Sequence, residues 1–541
     1  MAMSMRGLPR VEWGIVLAVS LIALVFVPLL PGLVWALGPS LAAQVWQTLL
    51  ADPQFPHALQ ATLVSSLLGT LMAGLMAAVL ASRLYPSPSW RRLQQRLPLL
   101  LSVPHAAFAV GLFFLIAPSG WLARATGYFL SWASPPDWVT VQDPYGLSLA
   151  LALAFKESWF LLWVLAAVLG EQALKRQMAV ARSLGYSAAQ TWRLILWPQL
   201  LPRLGWPMAA ALAYSLSVVD MAVILGPGTP PTLAVLTWQW LSDPDARVQA
   251  QGAAASLVLL GLFLMCAALA YAGWRTLMQR RAYPAGRRVP AGRRPWPWHL
   301  PLLAVGYATL GMLVVWSLAQ SWFFPALWPA VMTWDNWRSA DWAPLWTTLW
   351  LALAASLLCL PLVLIWLEWG PKRLNALLYM PLVLPALPLV AAQYAALLHL
   401  RLDATPLALV WSHLLWVLPY MLLTLVGAYR AFDARLVTSA RALGCSQLQA
   451  CLRVKWPLLL RPVLAAWAVG FAVSVAQYLP TLFAGGGRFA TVTTEAVALS
   501  AGGSRQVLAV QALLQVLLPL AAFALAFGWL RLRSRHRQGL R

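Results

Sequence analysis

Charge is scarce in this chain. Of 541 residues only 10% are Asp, Glu, Lys or Arg, and the 15 acids are outnumbered by 38 Lys+Arg, for a net charge of +23. A soluble globular domain carries charge on about a quarter of its residues, so composition alone excludes one. Lysine is especially rare: Lys156, Lys175, Lys372 and Lys455 are followed by Glu157, Arg176, Arg373 and Trp456. A phosphate loop needs Lys followed by Ser or Thr, so nucleotide chemistry has to come from another chain. Four cysteines are present, Cys266 and Cys359 in apolar runs and Cys445 and Cys451 in a polar stretch, with no C-x-x-C. Neither a disulfide framework nor a zinc site is indicated. H-E-x-x-H and G-x-S-x-G are also missing, so no familiar enzyme site is indicated and no cofactor or metal is expected.

What is abundant is apolar: 61% of residues are hydrophobic. Runs of about 20 apolar residues, enough to cross a bilayer, occur near 13–37, 58–82, 97–117, 146–170, 204–225 and 251–274. Six more follow near 300–324, 344–367, 376–399, 406–427, 463–483 and 506–530. The first is too long for an ordinary signal-peptide core and is expected to remain as a span. Residues 275–299 carry seven arginines, four prolines and no acid; they cannot bury a core and read as a linker. The expected fold is all-α, with about twelve transmembrane helices as two parallel six-helix repeats. The corresponding division is 1–57, first span and outer loop; 58–274, first repeat; 275–299, basic linker; 300–343, seventh span and outer loop; 344–530, second repeat; and 531–541, basic tail.

Twelve spans put both termini on one side. Assigning alternate loops leaves only Arg124, Arg247, Arg338, Arg401, Arg488 and Arg505 on the other side, with Lys156 inside a span. The positive-inside rule makes the side of the termini cytoplasmic. A net positive charge could point to nucleic acid, but here it lies in short loops where bilayer orientation requires it, and no nucleic-acid partner is expected. The 32 tryptophans cluster at span ends, as interfacial anchors facing lipid do.

The polar stretch AVARSLGYSAAQTWRLILWP at 179–198 is repeated as TSARALGCSQLQACLRVKWP at 438–457, an offset of 259. Over 176–202 and 435–461, eleven of 27 positions are identical, against roughly two or three by chance. Gly185 and Gly444 suit a left-handed helix end. Ser187-x-x-Gln190 and Ser446-x-x-Gln449 are capping boxes, and Trp197-Pro198 and Trp456-Pro457 restrict the backbone. Each copy reads as a helical hairpin. Thr62 and Thr348, 286 apart, and Pro104 and Pro385, 281 apart, extend the duplication, and Ser217-Val218 matches Ser474-Val475 at 257.

The hairpins resemble the E-A-A-x3-G-x9-I-x-L-P loop of type I ABC importer permeases. The matching residues are Ala179-Val180-Ala181, Gly185, Ile195, Trp197-Pro198 and Thr438-Ser439-Ala440, Gly444, Val454, Trp456-Pro457. Both copies lack the glutamate and carry Trp before the proline. The whole chain looks like two such permeases fused, as in iron(III)- and thiamine-type importers. The resemblance implies an inner-membrane permease with both termini cytoplasmic and no ATPase activity of its own. It implies two copies of a cytoplasmic ATPase subunit docked on Ala179, Ala181, Gly185, Ser187, Gln190, Pro198, Ser439, Ala440, Gly444, Ser446, Gln449 and Pro457. It also implies a periplasmic solute-binding protein delivering a small molecule or ion.

Polar groups inside spans are the candidates for the substrate path: Lys156, Glu157, Asp220, His413 and Gln477. Ionisable groups at the bilayer centre cost a few kcal/mol and generally face a cavity or a partner. Lys156 is expected to pair with an acid, Asp220 for one, while Glu157 faces a neighbouring helix. Gln477 aligns with Asp220 at the 257 offset. Two alternatives stand beside the substrate path: a structural ion pair between helices, and a proton or ion relay through Lys156, Glu157 and Asp220 in a secondary transporter.

Overall fold

Two prolines and two backbone breaks explain how each half departs from a simple row of spans. The computed structural model describes residues 10–279 and 299–538, so most of the expected linker, the first nine residues and the last three lie outside the described residues. It is helical throughout, with no strand among the described residues beyond one isolated bridge between Ala319 and Met332.

The first part of the chain comprises α1 (Arg10–Phe26), α2 (Leu29–Leu37), α3 (Phe55–Leu84), α4 (Pro88–Ser102), α5 (His105–Ile116) and α6 (Trp121–Leu130). Then come α7 (Leu147–Leu169), α8 (Gln172–Ser183), α9 (Ala188–Thr191), α10 (Trp197–Ser217), α11 (Asp220–Leu225), α12 (Leu233–Leu241) and α13 (Ala246–Gln279). After α14 (His299–Leu318) the order repeats as α15 (Ala343–Trp369), α16 (Ala386–Leu400), α17 (Pro406–Arg430), α18 (Ala434–Ala442) and α19 (Gln447–Ala450). It closes with α20 (Leu460–Ala476), α21 (Leu479–Gly485), α22 (Val492–Ser500) and α23 (Arg505–Gln538).

Among the described residues nine helices are long and apolar enough to cross a membrane, or ten if the pair bent by 79° at Leu459 is one span. The second arm of that pair, α20, opens the expected eleventh span, which breaks at Gln477 and resumes as α21. The expected fifth is α10, which stops at an extended Val218 and resumes as α11. The expected ninth is α16, only 15 residues long, because the chain before it is broken up by Pro381 and Pro385. Proline lacks the N–H and disfavours helix in the residue before it. The expected outer loop at 118–145 contains α6.

The duplication is in the structure as well as in the sequence. Thr62 accepts the N–H of Leu233 at 2.7 Å, and Thr348 accepts that of Val492 at 2.9 Å. Each hydroxyl thereby satisfies an orphan donor at the start of α12 or α22, while donating to its own helix at Ala58 or Pro344. From α7 and α17 onward the offset is a uniform 259. The helix breaks fall at Val218 and Gln477, and the caps of α12 and α22 at Thr232 and Thr491. This corrects the 257 offset: Asp220 corresponds to Leu479 and Gln477 to Val218. The Ser-Val dipeptide was a coincidence of an apolar composition; the break marks the equivalent position.

The halves are exchanged at their first spans. α1 packs on α15, and α2 lies along α16, so closely that a Cβ at Gly32 would collide with the Ala392 carbonyl oxygen. In return α14 packs against α5, with a Cβ at Gly111 meeting the Thr309 carbonyl oxygen at 2.6 Å. Arg124, counted from sequence as an outer-loop charge, is 1% exposed. Its guanidinium donates to the carbonyls of Ser119, Trp322, Phe323 and Ala326 at 2.7 to 3.1 Å, clamping α6 to the loop that follows α14 in the other half.

Candidate functional site

Each hairpin is closed by local chemistry. Gly185 and Gly444 have φ of +82° and +91°, a region open to glycine at no steric cost. The next residue, Tyr186 or Cys445, donates its N–H back to Ala181 or Ala440 at 3.0 and 3.1 Å, the bond that ends a helix with a left-handed residue. Both capping boxes are formed: Ser187 accepts from the Gln190 N–H while Gln190 accepts from the Ser187 N–H, and Ser446 and Gln449 do the same.

The Trp-Pro steps behave differently from expectation. Trp197 and Trp456 are helical, and a π turn precedes each, over Trp192–Leu196 and Cys451–Lys455. The wider turn places Pro198 and Pro457 at the start of the next helix, where a missing N–H costs nothing.

Ala181 and Ala440 are buried, while Ala179 and Ser439 are exposed. The residues before the glycines were not singled out by sequence. Leu184 is 56% exposed and Leu443 86% exposed, at equivalent positions on both hairpins. The signal available was their repetition at 259. Beside Leu184, residues Val180, Ala181, Tyr186 and Ile195 line an apolar groove of about 350 Å³.

The second hairpin is tied to its own half. Lys455 lies 2.6 Å from Glu368 at the end of α15, and Gln447 donates to the same carboxylate at 3.0 Å. The Tyr429 hydroxyl donates to it as well. The matching positions of the first half are Leu196, Ser82, Ala188 and Gly170, so no such cluster forms there.

The intramembrane charges are partnered in ways the sequence did not reveal. Lys156 donates to the Val103 carbonyl at 2.6 Å and lies 3.4 Å from that of Leu100. Its ammonium thus takes up the orphan carbonyls where α4 ends, and the expected pairing with Asp220 is corrected. Glu157 lies 3.5 Å from His105 on α5, and the His105 ring packs against Tyr214 at 4.5 Å between centroids. Asp220, at the start of α11, is within electrostatic reach of His105 and Tyr214, and of Tyr478 from the second half. Glu157 (6% exposed) and Asp220 (8%) are both buried. His413 is held apart from this group, between Ser474 at 2.8 Å and Thr481 at 2.9 Å, and joins α17 to α20 and α21. Gln477 stands at the second break, its carbonyl accepting from Thr481. The structure therefore gathers Glu157 and Asp220 around His105 and Tyr214, with Lys156 bonded to the end of α4 yet within electrostatic reach of both carboxylates, and leaves His413 apart. Among the described residues no group of three or more His, Cys, Asp or Glu could hold a metal ion.

Two structurally equivalent halves with paired hairpins, in an apolar helical chain without a phosphate loop, define the membrane-spanning part of a transporter. The chain belongs to the permease subunits of ABC importers, in the fused form with both halves in one polypeptide. It is 46% identical over 524 residues to the inner membrane ABC transporter permease protein YnjC of Escherichia coli, covering 96% of this chain and 97% of that one. The thiamine transport system permease protein ThiP of Escherichia coli is 27% identical over 473 residues, 80% of this chain and 81% of ThiP. The spermidine/putrescine transport system permease protein PotC of Haemophilus influenzae is 22% identical over 117 residues, 22% of this chain and 46% of PotC. No family model matches the chain.

Proposed function

We propose that the chain forms the path of an importer in the inner membrane, with both termini and both hairpins cytoplasmic and with 58–274 and 344–530 as its two repeats. One copy of an ABC ATPase subunit docks on each hairpin, through Ala179, Ala181, Gly185, Ser187, Gln190 and Pro198 or Ser439, Ala440, Gly444, Ser446, Gln449 and Pro457. A periplasmic binding protein delivers the solute from the other side. The observation that carries this reading is the pair of exposed leucines, Leu184 and Leu443, each beside a left-handed glycine on a rigid hairpin. Their recurrence at equivalent positions of both hairpins, with Leu184 lining an apolar groove, suits a protein contact. An ion-coupled carrier has no use for two matched contacts of this kind.

Glu157 and Asp220 line the solute path in this reading. Relatives are named for thiamine and for spermidine and putrescine, all cations. Buried carboxylates among Tyr214, Tyr478 and Trp238, whose ring lies 6.2 Å from that of Tyr478, suit a small organic cation, which aromatic faces also attract. Lys156, His413 and Gln477 hold the helix ends and breaks around it.

The docking test is the double variant Gly185→Val, Gly444→Val. A β-branched residue at these φ values costs at least ~1 kcal/mol at each site and displaces both leucines. The permease should still insert, while the ATPase no longer co-purifies and transport is lost. Solute-stimulated ATP hydrolysis at the wild-type rate in this variant would refute the docking reading.

A further inference from the structure

At the base of the first hairpin lies a cavity of about 520 Å³. It opens between the turn joining α3 to α4 and the face of α8 that carries Lys175, Ala179 and Arg182, with Arg91 on the opposite wall. No acid lines it, and none of these three cations is in an ion pair among the described residues. The nearest acid along the chain, Glu171, is engaged by Arg203 at 2.7 Å. Tyr85 and the buried Trp90 form the apolar floor.

The second half shows what this place in the fold requires. Gly170, which borders the cavity, corresponds to Tyr429, whose hydroxyl donates to Glu368. Glu368 in turn neutralises Lys455 and holds Gln447, fastening hairpin to span. In the first half the carboxylate has become Ser82 and the tyrosine Gly170. What is left is room, and cations from two elements facing each other across it.

We propose that this pocket binds a phosphate-bearing anion, an anionic lipid headgroup or free phosphate, which bridges α4 and α8 as Glu368 fastens hairpin to span in the second half. Arg91 reaches it from the span side, and Lys175 and Arg182 from the hairpin. Multiple cations on one phosphate make strong charge-assisted hydrogen bonds. The pocket sits where α3 and α7 end, at Leu84 and Leu169, the level at which headgroups meet basic side chains. Occupancy would stiffen the first hairpin, so that membrane composition or phosphate tunes one docking site and not the other.

The test uses the purified full chain in neutral detergent and needs no ATPase, so its outcome is independent of the docking reading. Binding of phosphatidylglycerol, of phosphatidylcholine and of inorganic phosphate is measured by native mass spectrometry and by thermal shift. Phosphatidylglycerol should bind and stabilise the chain while phosphatidylcholine does not; stabilisation by inorganic phosphate to the same extent would assign the site to the soluble anion. The Arg91→Gln, Lys175→Gln, Arg182→Gln variant should bind the effective probe about a hundredfold more weakly, because three cations no longer face the anion. Gly170→Tyr keeps every cation but fills the cavity. Its Cβ meets the Ala167 and Ala166 carbonyl oxygens at 3.1 and 3.3 Å, a tight fit, so its unfolding midpoint is measured first, and the folded variant too should lose binding. No binding of either anion to the wild-type chain, or undiminished binding in whichever of the two variants folds, overturns the proposal.

Discussion

The ammonium of Lys455 lies 2.6 Å from the carboxylate of Glu368, with side chains 14% and 7% exposed, and over the Tyr429 ring at 3.9 Å. Removing one partner of a buried pair strands the other charge, at a cost of about 3–5 kcal/mol, whereas removing both is often nearly neutral. Lys455→Met should therefore lower the thermal unfolding midpoint in detergent more than Lys455→Met, Glu368→Gln does. Additive effects in that double-mutant cycle would mean the pair does not hold the second hairpin.

Arg124 is a second buried cation, and its partners are carbonyls of both halves. Arg124→Leu would remove a donor from four carbonyls, of which Phe323 and Ala326 keep the Ala326 N–H and the Trp322 indole, with a cost on the order of 2–4 kcal/mol. Arg124→Lys should recover only part, because an ammonium cannot reach four carbonyls in the planar fork that a guanidinium spans. Unfolding curves for the two variants check the order; a wild-type midpoint for Arg124→Leu would remove the clamp.

Much of this was legible because it is local. The hairpins are specified within 20 residues by a glycine, a capping box and a proline, and all three recur at 259. Thr62 and Thr348 also stood out by offset, although their bonds to Leu233 and Val492 cross about 170 and 144 residues. What sequence could not supply was partners defined by three-dimensional geometry. From sequence Lys156 calls for an acid, because residues 97–117 read as one continuous span. The end of α4 at Ser102, just before Pro104, exposes the carbonyls that the ammonium takes. Arg124 looked like loop charge because α6 was not anticipated. The Gly170 and Tyr429 difference is visible in the letters, but only the fold shows that Gly170 borders a cavity while Tyr429 reaches Glu368.

Asp143 lies outside the spans, next to the start of α7. Burial alone would raise its pKa, but the N–H groups of Ser148 and Leu147 and the Ser148 hydroxyl donate to the carboxylate and hold it below its ordinary value. A lowered native pKa means stabilisation that is complete above the unfolded value of about 4 and lost as pH falls through the native one. The wild-type chain should thus lose stability below about pH 4, and Asp143→Asn should flatten that slope while costing about 1 kcal/mol near neutrality. Unfolding midpoints from pH 3 to 7 check both; identical slopes would assign the acid sensitivity elsewhere. The link matters because Ser148 is also 2.7 Å from the Leu225 carbonyl, at the far end of the helix that carries Asp220.

Asp220 begins a helix right after a backbone break, buried, with His105 and Tyr214 from its own half and Tyr478 from the other as electrostatic neighbours. The equivalent residue is Leu479, so the charge belongs to one half only. Lys156 lies within electrostatic reach of it, but that ammonium is bonded to the carbonyls at the end of α4 rather than paired with the carboxylate. A carboxylate so placed can take a cationic solute between unlike walls. Asp220→Asn keeps the shape and removes the charge; it should leave expression and ATPase association unchanged and reduce transport at least tenfold, as the loss of about 1.4 kcal/mol of charge-specific contact implies. Uptake into vesicles containing the ATPase and binding protein decides it. Wild-type uptake would reduce Asp220 to a structural group, and loss of expression would favour an interhelical role with His105. Glu157→Gln serves as the companion: it breaks the contact with His105 and should weaken uptake in the same direction, because the two carboxylates face the same histidine.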